Sequence, residues 1–494
     1  MVGRRSATAP EVPSMPPPFD KTAPATGAVK RYLPWVVATA LFMEQLDSTI
    51  VNTAVPSMAA SLGVAPLSLK AVVASYIVSL AVGIPISGWI ADRFGTRRVF
   101  TTAVAIFTVA SVACGLSVNV TMLIASRILQ GLGAALMTPV GRLAIVRTFA
   151  KSELLVAMNF VIIPALIGPL LGPTVGGLIV HWVSWRQIFF VNVPMGIAAL
   201  VIIHRYMPDY HGDGRRPLDF VGLVLFSSSM AILSWLLEIF GEHDISVLQG
   251  GVFLLISLSL LAAYVWHARQ VAHPLIQLAL FKIRTFRVSV GGGLITRLGI
   301  GGMPFLLPLL YQLGLGMPAW QSGLLTMPSA AAAMGMKFLS SKVLRRYGFR
   351  SVLIVNTLLV GTTISLFSLV TPSTPLTVIV LLAFAQGFFN SLQFSSVNGM
   401  AYADIAPTES SMATSIASTM QQLSLSFGLA SGSLIAGAFL GDVPQTDALA
   451  VQSALHRTFL VVGALTMVSA LAFWTLRPGD GDNVSRGGGP VAGA

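Results

Sequence analysis

Cysteine is all but missing from this chain. Its one thiol, Cys114, excludes an intramolecular disulfide, and it sits in an apolar run where a lone thiol packs as a small hydrophobe. Charge is nearly as scarce: Asp, Glu, Lys and Arg make up 10% of 494 residues, against 54% hydrophobic side chains and a mean hydropathy of +0.80. A soluble domain is about one quarter charged, so this composition excludes that class. A Walker phosphate loop, an H-E-x-x-H zinc helix and a G-x-S-x-G elbow are absent from the sequence, which leaves ATP-driven pumping and the common hydrolases without support. No enzyme activity, cofactor or metal is expected. Residues 1–30 lack the apolar core of a signal peptide and, rich in Pro, Ala and Thr, read as a flexible tail.

What the chain has in abundance is apolar runs of about 20 residues, each long enough to span about 30 Å of hydrocarbon. Fourteen are read, at 33–55, 69–91, 99–117, 122–146, 155–181, 187–206, 219–240, 248–267, 287–314, 320–341, 351–371, 375–400, 413–440 and 456–476. An all-α polytopic membrane protein with 14 transmembrane helices in a lipid bilayer is therefore expected. The net charge of +12 follows the same layout. With a cytoplasmic N-terminus, Arg4, Arg5, Lys30 and Arg31, then Arg93, Arg97 and Arg98, then Arg215 and Arg216, fall on the inner side. So do Lys282, Arg284 and Arg287, then Lys342, Arg345, Arg346 and Arg350, while the outer loops hold little besides Arg186 and Arg457. This is the positive-inside pattern, and an even number of helices puts both termini in the cytoplasm. The basicity is topology and calls for no nucleic acid.

The chain also repeats itself. S-G-W-I-A-D-R-F-G-T-R-R-V-F (87–100) set over S-S-K-V-L-R-R-Y-G-F-R-S-V-L (340–353) aligns Arg93 with Arg346, Gly95 with Gly348 and Arg97 with Arg350, at an offset of 253. A similar offset puts Gln130-Gly131 over Gln386-Gly387. Weak repeats of this kind are what duplicated transporter halves leave behind. The expected domains are a tail at 1–32, six-helix halves at 33–206 and 287–476, an inserted helix pair at 219–267 and a second tail at 477–494.

Four motifs in order then carry a resemblance that covers nearly the whole chain. They are L-D-S-T-I-V-N-T-A-V-P (46–56), G-W-I-A-D-R-F-G-T-R-R (88–98), R-I-L-Q-G-L-G-A-A (127–135) and G-x-x-x-G-P-x-x-G-G (168–177). Together they resemble the major facilitator superfamily and, with W-R-x-I-F-x-x-N-V-P-x-G (185–196), its fourteen-helix drug:proton antiporter branch. Thr96 departs from the pattern, standing where the second motif usually has a basic residue. The resemblance implies the major facilitator fold, a bacterial inner membrane, and proton-coupled efflux of small molecules. It also implies that the loop at 88–98 latches the inner side as the cavity alternates.

The physics of the motifs is mechanical. Gly168, Gly172 and Gly176 fall at i, i+4 and i+8, a bare stripe that another helix can approach closely, and Pro169 and Pro173 bend the same helix. Placed in the repeat, this stripe, with Gly177, is expected at the seam between the moving halves, and by resemblance transport runs outward. Gly88 removes a side chain where the halves must meet. Asp92, at a helix end, can cap amides or pair with a neighbouring arginine. Gly95 fits a tight turn; Arg93, Arg97 and Arg98 serve equally as snorkelling anchors.

The charges inside the apolar runs are the candidates for chemistry. Glu44 and Asp47 lie three residues apart on one helical face, about 16 to 21 Å from its inner end at ~1.5 Å per residue. Two carboxylates so close in low dielectric repel, so one should hold a proton and exchange it when the cavity opens. Asp47 belongs to the branch signature and Glu44 does not, which makes Asp47 the firmer proton-coupling residue; a hydrogen-bonded structural acid is the alternative. Arg127, within the fourth helix, is implied to help couple proton movement, or else forms a structural salt bridge. Arg297 stands beside G-I-G-G-M-P (299–304), the kind of broken segment that marks a transporter's binding site. The offset sets it opposite Glu44, so an acid and a base would face one cavity. Arg142 adds a second buried cation unless it snorkels. Gln130, Gln386, Asn390, Gln393 and Asn398, with Gln421 and Gln422, either bond neighbouring helices or line the path.

Two functions of transport follow. One is proton-coupled export of drugs and other small molecules; the other is export of organic anions or metal chelates of the citrate type, using Arg142 and Arg297. Small molecules and protons are the expected partners, and no motif speaks for a periplasmic adaptor or outer-membrane channel.

Overall fold

The computed structural model describes residues 27–482 apart from 150, 212–216, 240–246, 273, 406–408, 442 and 446. Arg215 and Arg216, most of the N-terminal tail and the last twelve residues of the C-terminal tail thus lie outside the described residues. The regular secondary structure described is helical: α1 (Gly27–Leu62), α2 (Lys70–Phe94), α3 (Thr96–Gly115), α4 (Val120–Thr148), α5 (Lys151–Trp182), α6 (Gln187–Phe190), α7 (Asn192–Tyr206), α8 (Phe220–Ile239), α9 (Val247–Ala268), α10 (Arg284–Ile300), α11 (Met303–Leu309), α12 (Ala319–Tyr347), α13 (Phe349–Leu366), α14 (Leu376–Ala401), α15 (Ser410–Leu440), α16 (Ala448–Val468) and α17 (Ala470–Trp474). Among the described residues, ten helical stretches are long and apolar enough to cross a membrane, and two shorter apolar helices accompany them. Several helices outrun the apolar run that announces them: α1 covers 36 residues and adds its first turns below Leu33 and two more after Val55. Backbone hydrogen bonding continues a helix beyond the hydrocarbon-like stretch until a turn residue stops it.

The repeat is visible in the backbone. Gly95 ends α2 and opens α3 at φ 90°, ψ 142°, and Gly348 ends α12 and opens α13 at φ 73°, ψ 159°. Both positions need a positive φ that only glycine adopts cheaply. The 287–314 run divides as its glycines suggest. α10 stops at Ile300, α11 starts after Gly302, and a π turn runs over Leu310–Gly314. The reason is packing: a Cβ on Gly301 would stand 2.9 Å from the Leu425 carbonyl oxygen, and one on Gly428 the same distance from that of Leu298. α10 and α15 therefore cross backbone to backbone.

α1 packs on α4, α5 and α7, and α4 on α2 and α3; in the second group α10 packs on α14, α15 and α16, while α12 and α13 meet α14. α8 and α9 pair with each other, exchanging Ser229 Oγ to Ser257 O and Ser257 Oγ to Ser229 O, each at 2.9 Å. α8 also touches both α2 and α15, so the pair lies against the line where the groups adjoin.

The ends of the bundle differ. At the end far from residues 27 and 482, one core runs through both groups, joining Ile50, Val51, Val55 and Trp185 to Leu306, Leu310, Leu325 and Phe459. Gln312 Nε2 donates to the Thr53 carbonyl (3.0 Å), Leu67 N to Gln445 Oε1 (3.1 Å) and Thr174 Oγ1 to the Gly323 carbonyl (3.3 Å) across the same end. Toward the terminal end the described core residues fall into separate clusters. Leu33, Phe100, Met137 and Ile203 belong to a cluster of the first group alone, and Met336, Leu353, Met400 and Phe473 to one of the second. A further cluster binds α8 and α9 to α10 and α15, with Ala81 its one fully buried member from the first group.

Candidate functional site

A buried polar cluster sits inside the first group, where α1, α3, α4 and α7 converge. Asp47 and Arg127, both without exposed surface, form an ion pair of 2.6 Å between Oδ2 and Nη1. Arg127 Nη1 also donates to Gln130 Oε1 (2.7 Å), its Nε to the Val72 carbonyl (3.3 Å), and its guanidinium lies 4.1 Å from the centre of the Tyr76 ring. Gln130, one turn further along α4, donates from Nε2 to Asp47 Oδ1 (2.9 Å) and Ser111 Oγ (2.8 Å) and accepts from the Cys114 thiol (3.6 Å). Asn192 Nδ2 completes the Asp47 shell with a 2.7 Å bond to Oδ1. Spacing explains why these residues meet: Arg127 and Gln130 are three apart on α4 and share a face, as are Ser111 and Cys114 on α3. A charge pair this buried is tolerable because Gln130, Asn192 and the Val72 carbonyl add hydrogen bonds to it, although Arg127 Nη2 finds no partner among the described residues. Ser111, Asn192 and Tyr76 are missing from the sequence reading, although Asn192 stands inside W-R-x-I-F-x-x-N-V-P.

Glu44 takes a different setting from Asp47. It is 5% exposed and accepts a 2.5 Å hydrogen bond from Thr138 Oγ1, one helical turn from Arg142 on α4. Arg142 lies near enough to act on Glu44 electrostatically, and its side chain is exposed. The two carboxylates therefore lean on different neighbours.

In the second group Arg297 is 5% exposed, stacks 4.7 Å from the centre of the Phe394 ring and donates one long bond (3.4 Å) to Asn398 Oδ1. Among the described residues no carboxylate lies within ion-pair distance of it. Gln393 is turned toward α13, accepting from Asn356 Nδ2 and donating to Thr357 Oγ1, each at 2.9 Å. Gln386 accepts from Thr363 (2.9 Å) and donates to Asn390 (3.4 Å). The Gln130–Ser111 bond thus has a repeat counterpart in Gln386–Thr363, but Asp47 and Arg127 have none, since Ile300 and Ala383 stand at the corresponding positions.

The loop residues cluster at the terminal end. Asp92 pairs with Arg147 of α4 at 2.8 Å. Arg97 N donates to Asp209 Oδ1 (3.0 Å), its guanidinium reaches the His204 carbonyl, and Thr96 N bonds the Tyr210 carbonyl (2.9 Å). The departure at Thr96 thus has a use: its hydroxyl ties the loop to residues 208–210. Gly95 abuts Asp209 and His211, whereas Arg93 is exposed and a Cβ on Gly88 would meet nothing within 4 Å.

One expectation needs correcting. The Gly168, Gly172 and Gly176 stripe does not face the seam between the groups; it packs on α1, where added Cβ atoms would stand 2.8 Å from Gln45 Cβ, 3.0 Å from Thr49 Cβ and 2.6 Å from the Ile50 carbonyl oxygen. Pro173 and Gly177, on another side of α5, make the close approach to α12: a Cβ on Gly177 would lie 3.1 Å from Trp320 Cα, and Gly323 rests on the Pro173 carbonyl. Helical geometry separates Gly176 from Gly177 by about 100°, so adjacent glycines serve different neighbours.

Comparison with known proteins agrees with the helical fold. The family model described as the Major Facilitator Superfamily matches residues 37–423 and 291–491. A protein of Serratia proteamaculans that bears the name multidrug resistance protein MdtD is 38% identical over 439 residues, covering 89% of this chain and 92% of its own. Its namesake in Klebsiella pneumoniae subsp. pneumoniae is 37% identical over 445 residues, covering 90% and 94%. Among solved structures, that of a D-xylose-proton symporter superposes with a TM-score of 0.65 at 15% identity, covering 93% of this chain and 99% of that one.

Proposed function

The chain belongs to the major facilitator superfamily, and from that premise we propose that it is a secondary active transporter that exports small molecules across the bacterial inner membrane in exchange for protons. It is a transporter and not an enzyme. The observation that carries the reading is the asymmetry of the bundle among the described residues: a core shared by both groups at one end and, apart from the cluster at the inserted pair, separate cores at the other. Such a state is one half of an alternating-access cycle, with the terminal end open to the cytoplasm under the positive-inside rule. In this reading the architecture is fourteen spans, six in each half and two inserted. α1 and α12 supply two of the spans despite the polar residues they carry, and the described parts of α5 and α8 supply two more. The buried carboxylates Glu44 and Asp47, with Arg127, support proton coupling, because ionisable groups at membrane depth mark ion pathways. The relatives' name supports efflux of drug-like compounds.

A second reading concerns cargo. Arg297 has a buried guanidinium and no acidic partner among the described residues, which favours an anionic group on the substrate. Inverted vesicles under an imposed pH gradient, given ethidium in one arm and citrate in the other, test both readings. Gradient-dependent uptake of ethidium supports cation export, and uptake of citrate that Arg297→Ala abolishes supports the anion. Transport of either that ignores the gradient overturns proton coupling.

A further inference from the structure

Resting on the proton-coupling reading, we propose that Glu44, and not the signature acid Asp47, is the group that loads and releases the transported proton, and that Thr138 is its positioning residue. The grounds are the hydrogen-bond inventories of the two carboxylates. Asp47 receives three N–H donors: Arg127 Nη1 at 2.6 Å, Gln130 Nε2 at 2.9 Å and Asn192 Nδ2 at 2.7 Å. None of these nitrogens has a lone pair to receive a carboxyl proton, so a protonated Asp47 would point its O–H at other donors. Glu44 has a hydroxyl instead, Thr138 Oγ1 at 2.5 Å. A hydroxyl donates to an ionised carboxylate and, by rotating its hydrogen away, accepts from a protonated one. Only the Glu44 site is built to be satisfied in both states.

Access separates the acids as well. Asp47 is sealed at 0% exposure, whereas Thr138 is half-buried and Arg142, four residues on and on the same face of α4, is exposed. Thr138 and Arg142 thus lead from Glu44 toward the end where the cores part. The ionisable groups around Glu44 are few. Asp47 stands one turn along α1, Arg142 faces it from α4 and Tyr76 from α2, with Arg127 beyond them on Asp47 and Tyr76. The spans of α5, α7 and α11 that pack on α1 carry no charge between Leu154 and Val180, between Asn192 and Ile203, or between Met303 and Leu309. The step itself is simple: an O–H bond forms on a Glu44 oxygen with a proton from water on one side of the membrane, and breaks to water on the other.

Infrared difference spectra of the purified full chain, titrated with pH, read this without knowing the cargo. The wild type should show one titrating protonated-carboxyl C=O band more than Glu44→Gln, which remains when the Glu44→Gln spectra are subtracted and the bands of the other carboxyls cancel. Thr138→Val should raise the band's frequency and move the pH at which it titrates, and Thr138→Ser should restore both. A wild-type minus Glu44→Gln difference without a titrating carboxyl band overturns the proposal, as does a Thr138→Val spectrum that matches the wild type. The vesicle assay keeps the two readings apart. Wild-type ethidium or citrate transport indifferent to the gradient sinks proton coupling as a whole; gradient-driven transport that persists in Glu44→Gln sinks the Glu44 assignment alone.

Discussion

At the scale of single residues, the energetics of the first-group cluster rest on an ion pair that no solvent screens. Replacing Arg127 with Met would leave the Asp47 carboxylate buried with only Gln130 and Asn192, and breaking one side of such a pair costs roughly 3–5 kcal/mol. Arg127→Met should therefore lower the melting temperature in detergent sharply, and the double variant Arg127→Met with Asp47→Leu should recover much of the loss. Equal melting of single and double variants would show that the pair is not the source of stability. The sequence makes half of this cluster legible. Asp47, Arg127 and Gln130 stand out as ionisable or amide groups in apolar helices, where every polar atom must find a partner. Ser111, Asn192 and Thr138 do not, because a hydroxyl or amide in a helix can bond its own backbone. Their partners are also far off in the chain: Asn192 is 145 residues from Asp47, and Thr138 is 94 from Glu44.

At the scale of elements, the inserted pair is clasped at its terminal end by Asp219. Its carboxylate accepts from Gly222 N (2.8 Å), capping α8, from His267 Nε2 at the end of α9 (2.7 Å) and from Leu275 N in the segment beyond (3.1 Å). Burial works against the ionised form, but the bonds from His267, Gly222 and Leu275 and the His267 charge outweigh it and hold the carboxyl below its ordinary value of 3.8. A depressed acid contributes stability above its unfolded value and loses it as pH falls through its folded one. The melting-temperature gap between wild type and Asp219→Asn, worth about 1 kcal/mol for a lost cap, should thus be present near roughly pH 5 and shrink on further acidification. A gap that widened in acid would contradict the clasp. Helix existence is easy to read here, since apolar runs announce α8 and α9. The clasp is not, because it joins residues 48 and 56 positions apart. The α5 stripe teaches the same lesson. Its i, i+4, i+8 spacing announces a close helix neighbour, but a spacing cannot say which one, and packing chose α1 over α12.

At the scale of the whole molecule, glycines at the two ends of the bundle carry opposite expectations. Gly323 sits in the closed end, where a Cβ would stand 3.0 Å from the Pro173 carbonyl carbon and 3.1 Å from Thr174 Cα, both backbone atoms that cannot swing aside. A leucine there cannot coexist with the shared core, so Gly323→Leu should hold that end open. Gly88 lies at the other end with free space around it in this state, and a leucine there obstructs only a state in which the terminal end closes. The sole cysteine makes this measurable, since Cys114→Ala gives a thiol-free background into which Thr53→Cys places a reporter. Thr53 is fully buried beside Gln312 in the present state. Gly323→Leu should raise its labelling rate by a polar maleimide about tenfold or more, a shift of ~1.4 kcal/mol in the equilibrium, while Gly88→Leu should hold it at or below that of the parent. Both should stop transport, because a carrier fixed in either state cannot complete its cycle. If both labelled alike and still transported, the close approach at Gly323 would be ordinary helix packing rather than a gate, and the parted cores would have to be explained without alternation.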